Sequence, residues 1–172
     1  MSRGINLLRA ALGILLFTAL PLSAAGQKDN PKNTREYFMA GHEAMNKGDE
    51  LGVVDFFTKA AELATKDTDK AIALNNIGYF YLTHGAFDKA KEYLEKASSY
   101  DKTNKKPVYR AKIWNNLGQV YEYEKDQVKA LACYIKACMA EPTYEKPQLN
   151  KARLERIIKE HPVASKTVEA KK

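Results

Sequence analysis

Three glycines at matched intervals constrain this chain more than any other feature. Gly41, Gly78 and Gly118 stand 37 and 40 residues apart; the same two intervals separate Val53, Ala90 and Ala130, and again Ala60, Ala97 and Ala137. Landmarks that agree on both steps predict one structural unit used three times. The best-formed copy runs from Ala111 to Pro142. Within it Trp114, Leu117 and Tyr121 fall three and four apart, which makes one apolar stripe on a helix, and Ala130, Tyr134 and Ala137 make a second. Gly118, on the first of these helices, costs roughly 1 kcal/mol relative to Ala. The expected compensation is a close crossing by the second helix at Ala130, where larger side chains would force the axes apart. Pro142 cannot continue a helix and ends the unit.

The middle copy carries Leu74, Ile77, Gly78, Tyr81, Gly85, Ala90, Leu94 and Ala97. The first carries Tyr37, Ala40, Gly41, Ala44, Gly48, Val53, Phe57 and Ala60, and is the least faithful. A unit of 34 residues, with three more in the first connection and six more in the second, accounts for the intervals. The inserts are expected in loops around Thr68–Lys70 and Lys105–Arg110. The ordered set Trp114, Leu117-Gly118, Tyr121, Ala130, Tyr134 and Pro142 resembles the tetratricopeptide repeat family, and the resemblance covers about Thr34 to Pro142. It implies an all-α fold with repeats at about 34–67, 71–104 and 111–144, stacked as a short right-handed superhelix.

Local signals refine the boundaries. Thr34 is the expected cap of the first helix, with Glu36 in its first turn. Gly48 and Asp49 supply a left-handed residue and a cap between the first two helices, and Gly85 marks the second internal turn. Lys125-Asp126 replaces the glycine in the third copy and leaves that turn's geometry open. After Pro147 a further helix, about 147–160, shows Leu149, Ala152, Leu154, Ile157 and Ile158 on one side. Lys151, Arg153, Glu155, Arg156 and Lys159 lie on the other. It reads as a capping helix over the last repeat, which closes a repeat domain at 34–161. Residues 162–172 lack periodicity and are expected to be disordered.

The amino end carries an export signal. Arg3 and Arg9 make a positive front, Ala10 to Leu20 is an uncharged apolar run of 11, Pro21 breaks it, and Leu22 to Gly26 offers small residues for cleavage after Ala25 or Gly26. Residues 1–26 are thus expected to be a signal peptide, followed by a flexible lead-in at 27–33. The apolar run is shorter than the roughly 20 residues that span a bilayer. A periplasmic or secreted location follows, with an uncleaved anchor as the lesser alternative. Formal net charge is +7, and loss of Arg3 and Arg9 leaves +5, an excess that favours acidic partners or anionic surfaces and also aids solubility.

Catalytic patterns are scarce. His42-Glu43 begins a zinc-peptidase helix motif, but Asn46 stands where its second His belongs. There is no Gly-rich phosphate loop and no Gly-x-Ser-x-Gly, and His42, His84 and His161 are scattered without ligand spacing. The expectation is a non-enzymatic chain with no metal and no cofactor. Cys133 and Cys138 lie five apart on one helix, about 140° around it, and cannot bond to each other without unwinding it. Cys138 is expected to be buried and Cys133 more exposed, both free, with Cys133 open to pairing between molecules.

What remains is a surface. In the family the chain resembles, the first helices line a concave groove that binds an extended segment or a helix of a partner. Mapped onto this sequence, that groove comprises Arg35, Phe38, His42, Asn75, Asn76, Tyr79, Thr83, Lys112, Asn115, Asn116, Gln119 and Tyr123. Asn amides suit a peptide backbone, and Tyr adds apolar area with a polar tip. One version of this groove clamps the carboxylate end of acidic chaperone tails. Only Asn76 and Lys112 match its five positions, and Phe38, His42 and Asn116 depart from it. The repeat count also resembles the chaperones of type III secretion translocators, which the leader argues against. The expected role is therefore a protein-interaction module or scaffold in the bacterial envelope or outside the cell. Its partner is a protein or peptide, self-association stays open, nucleic acid is not expected, and membrane contact is limited to the signal peptide or weak anionic attraction. The alternative is salt-sensitive attachment to an anionic envelope lipid or cell-wall polymer through the basic insert 102–112 and the last helix.

Overall fold

Each internal turn of the chain closes the same way, and that repetition builds the molecule. The computed structural model describes residues 31–161, so the expected signal peptide, residues 27–30 of the lead-in and the tail at 162–172 lie outside the described residues. Within 31–161 the regular structure is seven helices: α1 (Thr34–Lys47), α2 (Glu50–Leu63), α3 (Asp67–Thr83), α4 (Phe87–Ser98), α5 (Pro107–Tyr123), α6 (Gln127–Ala140) and α7 (Glu145–Glu160). The expected all-α repeat fold is the fold observed. Among the described residues no helix is long and apolar enough to cross a membrane.

In the three turns the backbone N–H of Asp49, Ala86 and Asp126 donates to the carbonyl of Ala44, Tyr81 and Tyr121, at 3.0, 3.0 and 2.9 Å. That bond needs a left-handed residue before it, supplied by Gly48 (φ 69°) and Gly85 (φ 74°). Lys125 takes the same conformation (φ 62°) in the third turn, so the missing glycine changes the strain and not the geometry. Asp126 helps hold it there by accepting from the Lys129 N–H at 3.0 Å, as Asp49 does from Gly52. At the start of α1 the cap is Asn33, not Thr34. Its Oδ1 accepts from the Glu36 N–H at 3.0 Å, and the Glu36 carboxylate reaches back to the Asn33 amide and the Lys32 N–H.

Within each helix pair a glycine makes room for a large side chain sixteen residues on. A Cβ added at Gly41 would lie 2.8 Å from the Phe57 ring, one at Gly78 would lie 2.6 Å from Leu94 Cγ, and one at Gly118 would lie 2.6 Å from Tyr134 Cε1. The residue that needs Gly118 is therefore Tyr134, one turn beyond the expected Ala130, although Ala130 is fully buried too. Phe57, Leu94 and Tyr134 have no exposed surface, and burial of side chains this size stabilises by about 1.5–3 kcal/mol each.

Both inserts lengthen helices: Thr68–Lys70 and Pro107–Arg110 are helical, contrary to their expected place in loops, whereas Lys105 and Lys106 do lie in the loop before α5. Each of α3 and α5 begins eleven residues before its glycine, against seven in α1, which adds a turn. Asp67 and Asp69 favour that start in α3, and Pro107 in the first turn of α5 has the fixed φ a helix start wants. Asp101 fastens the longer insert by accepting from Trp114 Nε1 at 2.8 Å and Arg110 Nε at 3.1 Å.

The cysteines are placed the other way round from expectation. Cys133 is buried in line with Ala130 and Ala137, whereas Cys138, one residue past Ala137, is half-buried; both are free. Burial pushes the Cys133 thiol up to about 11, so at pH 8 it is almost wholly protonated and shielded, and pairing between molecules through it is blocked. Two outcomes follow. Gly118→Ala should lower stability by about 1–3 kcal/mol, and an unchanged melting temperature would disprove the glycine–tyrosine fit. A thiol reagent at pH 8 should label Cys138 in the native chain and reach Cys133 only after unfolding, as read by mass spectrometry of the alkylated peptides.

Candidate functional site

The first helices of successive pairs are tied by a ladder of asparagines. Asn116 Nδ2 donates to Asn75 Oδ1 at 3.0 Å, and Asn150 Nδ2 donates to Asn115 Oδ1 at 2.9 Å. Each rung joins the residue two before a repeat's landmark to the residue three before the previous repeat's, with Ala152 as the fourth landmark, 34 residues after Gly118. By that register α7 is the first helix of a fourth pair whose second helix is absent from the described residues. At the positions of Trp114, Leu117 and Tyr121 it carries Gln148, Lys151 and Glu155, which suits a face turned to water. Lys151 pairs with Glu155 at 3.3 Å.

The register also explains a defect. Asn76 should donate to residue 38, but Phe38 offers no acceptor and packs its ring edge-on against Phe57 at 5.8 Å. Asn76 Nδ2 is accordingly buried without a partner. α3 packs along α5 and α5 along α7, but α1 makes no comparable contact with α3.

Three of the twelve groove residues expected from the sequence are thus buried and bonded to neighbours: Asn75 is 5% exposed, Asn115 0% and Asn116 6%. They hold the face together and are not free to meet an incoming backbone. Arg35 and His42 are exposed on α1, the His42 ring standing edge-on to Phe57, and Lys112 is half-buried with its ammonium 5.1 Å from the Tyr109 ring centre.

Tyr79, Thr83 and Gln119 do come together, around a hollow of about 390 Å³. Its other walls are Leu82, Phe87, Glu122, Lys146, Asn150 and Arg153. Tyr123 stacks on Phe87, ring centres 3.5 Å apart, and stays largely exposed. Glu122 accepts from Arg153 at 2.6 Å and from the Tyr134 hydroxyl at 2.8 Å. Burial, reinforced by this bond to Glu122, holds the Tyr134 hydroxyl far above its usual range, so it remains a neutral donor. The result is a polar floor with aromatic edges and a fixed cation.

Lys146, Asn150 and Arg153 were not among the expected groove residues. They are the 34-residue echoes of Lys112, Asn116 and Gln119, a signal legible once α7 is aligned with the first helices. The expected apolar face of α7 is corrected accordingly. Leu154, Ile157 and Ile158 turn inward with Pro147, but Leu149 is 68% exposed and Ala152 is also exposed. Arg153, expected to face away, meets Glu122.

The basic insert is less available than its composition suggests. Arg110 pairs with Asp101, and Lys66, Lys102, Lys105 and Lys106 share the walls of a hollow of about 720 Å³ with Asp67 and Asp69. Among the described residues no group of His, Cys, Asp and Glu could hold a metal ion.

The model of the tetratricopeptide repeat matches the chain at residues 71–104 and 111–144. The chain is a tetratricopeptide repeat protein. Two curated relatives carry comparable sequence. One is BBSome complex member BBS4 of Bos taurus, 26% identical across 59% of this chain and 24% of its own length. The other is photosystem I assembly protein Ycf3 of Synechococcus sp. (strain CC9902), 28% identical across 63% of this chain and 56% of its own. The chain therefore spans about a quarter to just over half of these relatives.

Two solved structures share the fold. The Arabidopsis OM64 tetratricopeptide domain superposes with a TM-score of 0.58 at 22% identity, covering 72% of this chain and 94% of that one. The Sgt2 domain from Aspergillus fumigatus reaches 0.61 at 23% identity, covering 80% and 90%. Tetratricopeptide repeats typically serve as protein–protein interaction modules, and this chain carries such repeats at residues 71–104 and 111–144. In it, Asn116→Ala should cost about 1–3 kcal/mol by stranding Asn75 and Asn115. Asn76→Ala, which breaks no bond, should cost less than half as much, and equal losses in chemical denaturation would disprove the ladder.

Proposed function

We propose that this tetratricopeptide repeat protein captures a segment of a partner protein on the face formed by α3, α5 and α7, with the hollow beside Tyr79 as the anchor point. The observation that carries this reading is the hollow itself, where exposed aromatic edges from Tyr79 and the Phe87–Tyr123 stack border Gln119, Lys146 and Arg153. Aromatic area with a polar tip suits a side-chain anchor, while the amides and cations suit backbone carbonyls and an acidic neighbour. The ligand is an extended or helical stretch of a few residues, because three pairs and one further helix make a short face.

Export belongs to the same proposal. Its support is the leader-like stretch from Arg3 to Gly26, and it places the working protein in a bacterial periplasm or outside the cell. Attachment to an anionic polymer through the insert has weaker support, since Arg110, Lys151 and Arg153 are already ion-paired and Asp67 and Asp69 share the lysine-lined hollow.

The test is an affinity capture from the envelope fraction of the native organism, with the chain from Gly26 onward beside Tyr79→Ala/Lys146→Glu, washed at low salt and at about 0.5 M salt. A protein retained at high salt by the parent and lost by the variant is the expected outcome. Material that leaves both forms equally at high salt would overturn the reading.

A further inference from the structure

The second helices carry the next unexplained feature. Val128, Ala132, Ile135 and Met139 lie at spacings of four, three and four on α6, within about 60° of arc. Val128 is 76% exposed, Ile135 38% and Met139 77%, and Ala132 is exposed as well. The same outward positions in the other repeats are Asp88, Glu92 and Glu95 on α4 with Ser99 just past its end, and Leu51, Asp55, Thr58 and Glu62 on α2. Only Leu51 among these eight is apolar. The repeats thus act as internal controls: the fold tolerates a polar outward stripe twice, so packing does not demand the apolar one on α6.

We infer that the outward stripe of α6 docks an amphipathic helix of a partner protein whose flank is acidic. The spacing is that of a helix–helix seam, in which residues of one stripe fit between those of the other. Charge selects the partner. α6 contains no Asp or Glu, and Lys129 and Lys136 stand on one flank of the stripe, with the Lys136 ammonium 4.0 Å from the Trp114 ring centre. Lys129 is paired with Asp126 but keeps a 60% exposed side chain.

A second copy fits poorly. Two α6 helices meeting antiparallel about a two-fold axis near the middle of the stripe would set Lys129 of one copy against Lys136 of the other. A lipid surface fits poorly too, because the apolar stripe is only one helix wide and the corresponding outward positions of α4 are Asp88, Glu92 and Glu95. A single helix, about 10 Å across, can cover α6 alone. This surface is independent of the hollow beside Tyr79, which the first helices and Phe87 wall.

The test uses the full chain and two labelled helical peptides of about 15 residues, each with Leu at the α6 stripe spacing, one bearing Glu and the other Lys along one flank. Phosphatidylglycerol vesicles and sedimentation velocity serve as the lipid and self-association arms. The Glu-flanked peptide should bind at least about tenfold tighter than the Lys-flanked one. Val128→Glu/Met139→Glu should weaken it by about tenfold or more, with an unchanged circular dichroism spectrum, and Leu51→Glu should leave it intact. The proposal is overturned if the Glu-flanked peptide does not bind by about 0.5 mM, or if the double substitution leaves its binding unchanged. It is likewise overturned if that substitution instead abolishes vesicle binding or dimer formation.

Discussion

A large side chain seated against a bare backbone is the contact on which the rest of this structure depends. Phe57, Leu94 and Tyr134 each occupy the place a Cβ would take at Gly41, Gly78 and Gly118. A helix interior glycine weakens its own helix, and the protein accepts that three times because the close fit lets a whole side chain disappear from water. The three occupants differ in shape and chemistry while the glycine stays constant. What is specified is therefore the socket and not its plug, and the helix pairs can share one geometry with unlike cores.

Once the pairs are set, stacking brings the first helices side by side, and polar groups then decide how closely. The two asparagine rungs bury amides that satisfy one another, which is stable only when both partners are present. Where Phe38 interrupts the series, Asn76 Nδ2 is left unpaired and α1 packs less closely on α3 than α5 does. Where Leu149 follows, no acceptor is offered to a further helix. The ladder thus runs from α3 to α7, the same stretch of surface that carries the hollow and its aromatic rim. Rigid spacing of this face and the location of its hollow have one cause.

Much of this was legible beforehand. Repeating intervals exposed the number of units, the internal turns and the buried alanines, since helix packing writes its demands on small and large residues at fixed steps. Turn geometry in the third copy was not legible: Lys125 adopts a conformation that composition argues against, and the shared closing bond from Asp126 to Tyr121, with the Asp126 side chain on the Lys129 N–H, holds it there. Of the expected groove residues, Tyr79, Thr83 and Gln119 line one hollow, whereas Asn75, Asn115 and Asn116 are buried between helices, which a helical wheel that sees one helix at a time does not show. Lys146, Asn150 and Arg153 were overlooked because α7 was read as a lid and not aligned with the helices before it.

The sequence by itself determined the repeat, its period, the all-α class and the family, because those follow from short-range spacing along single helices. Tertiary structure alone decided which polar residues are spent between neighbours and which stay exposed. That division depends on residues about 35 to 41 apart in the chain that meet only after the pairs have stacked. An amide looks the same in a sequence whether it faces water or another amide, and the difference is made by the helix that lies beside it.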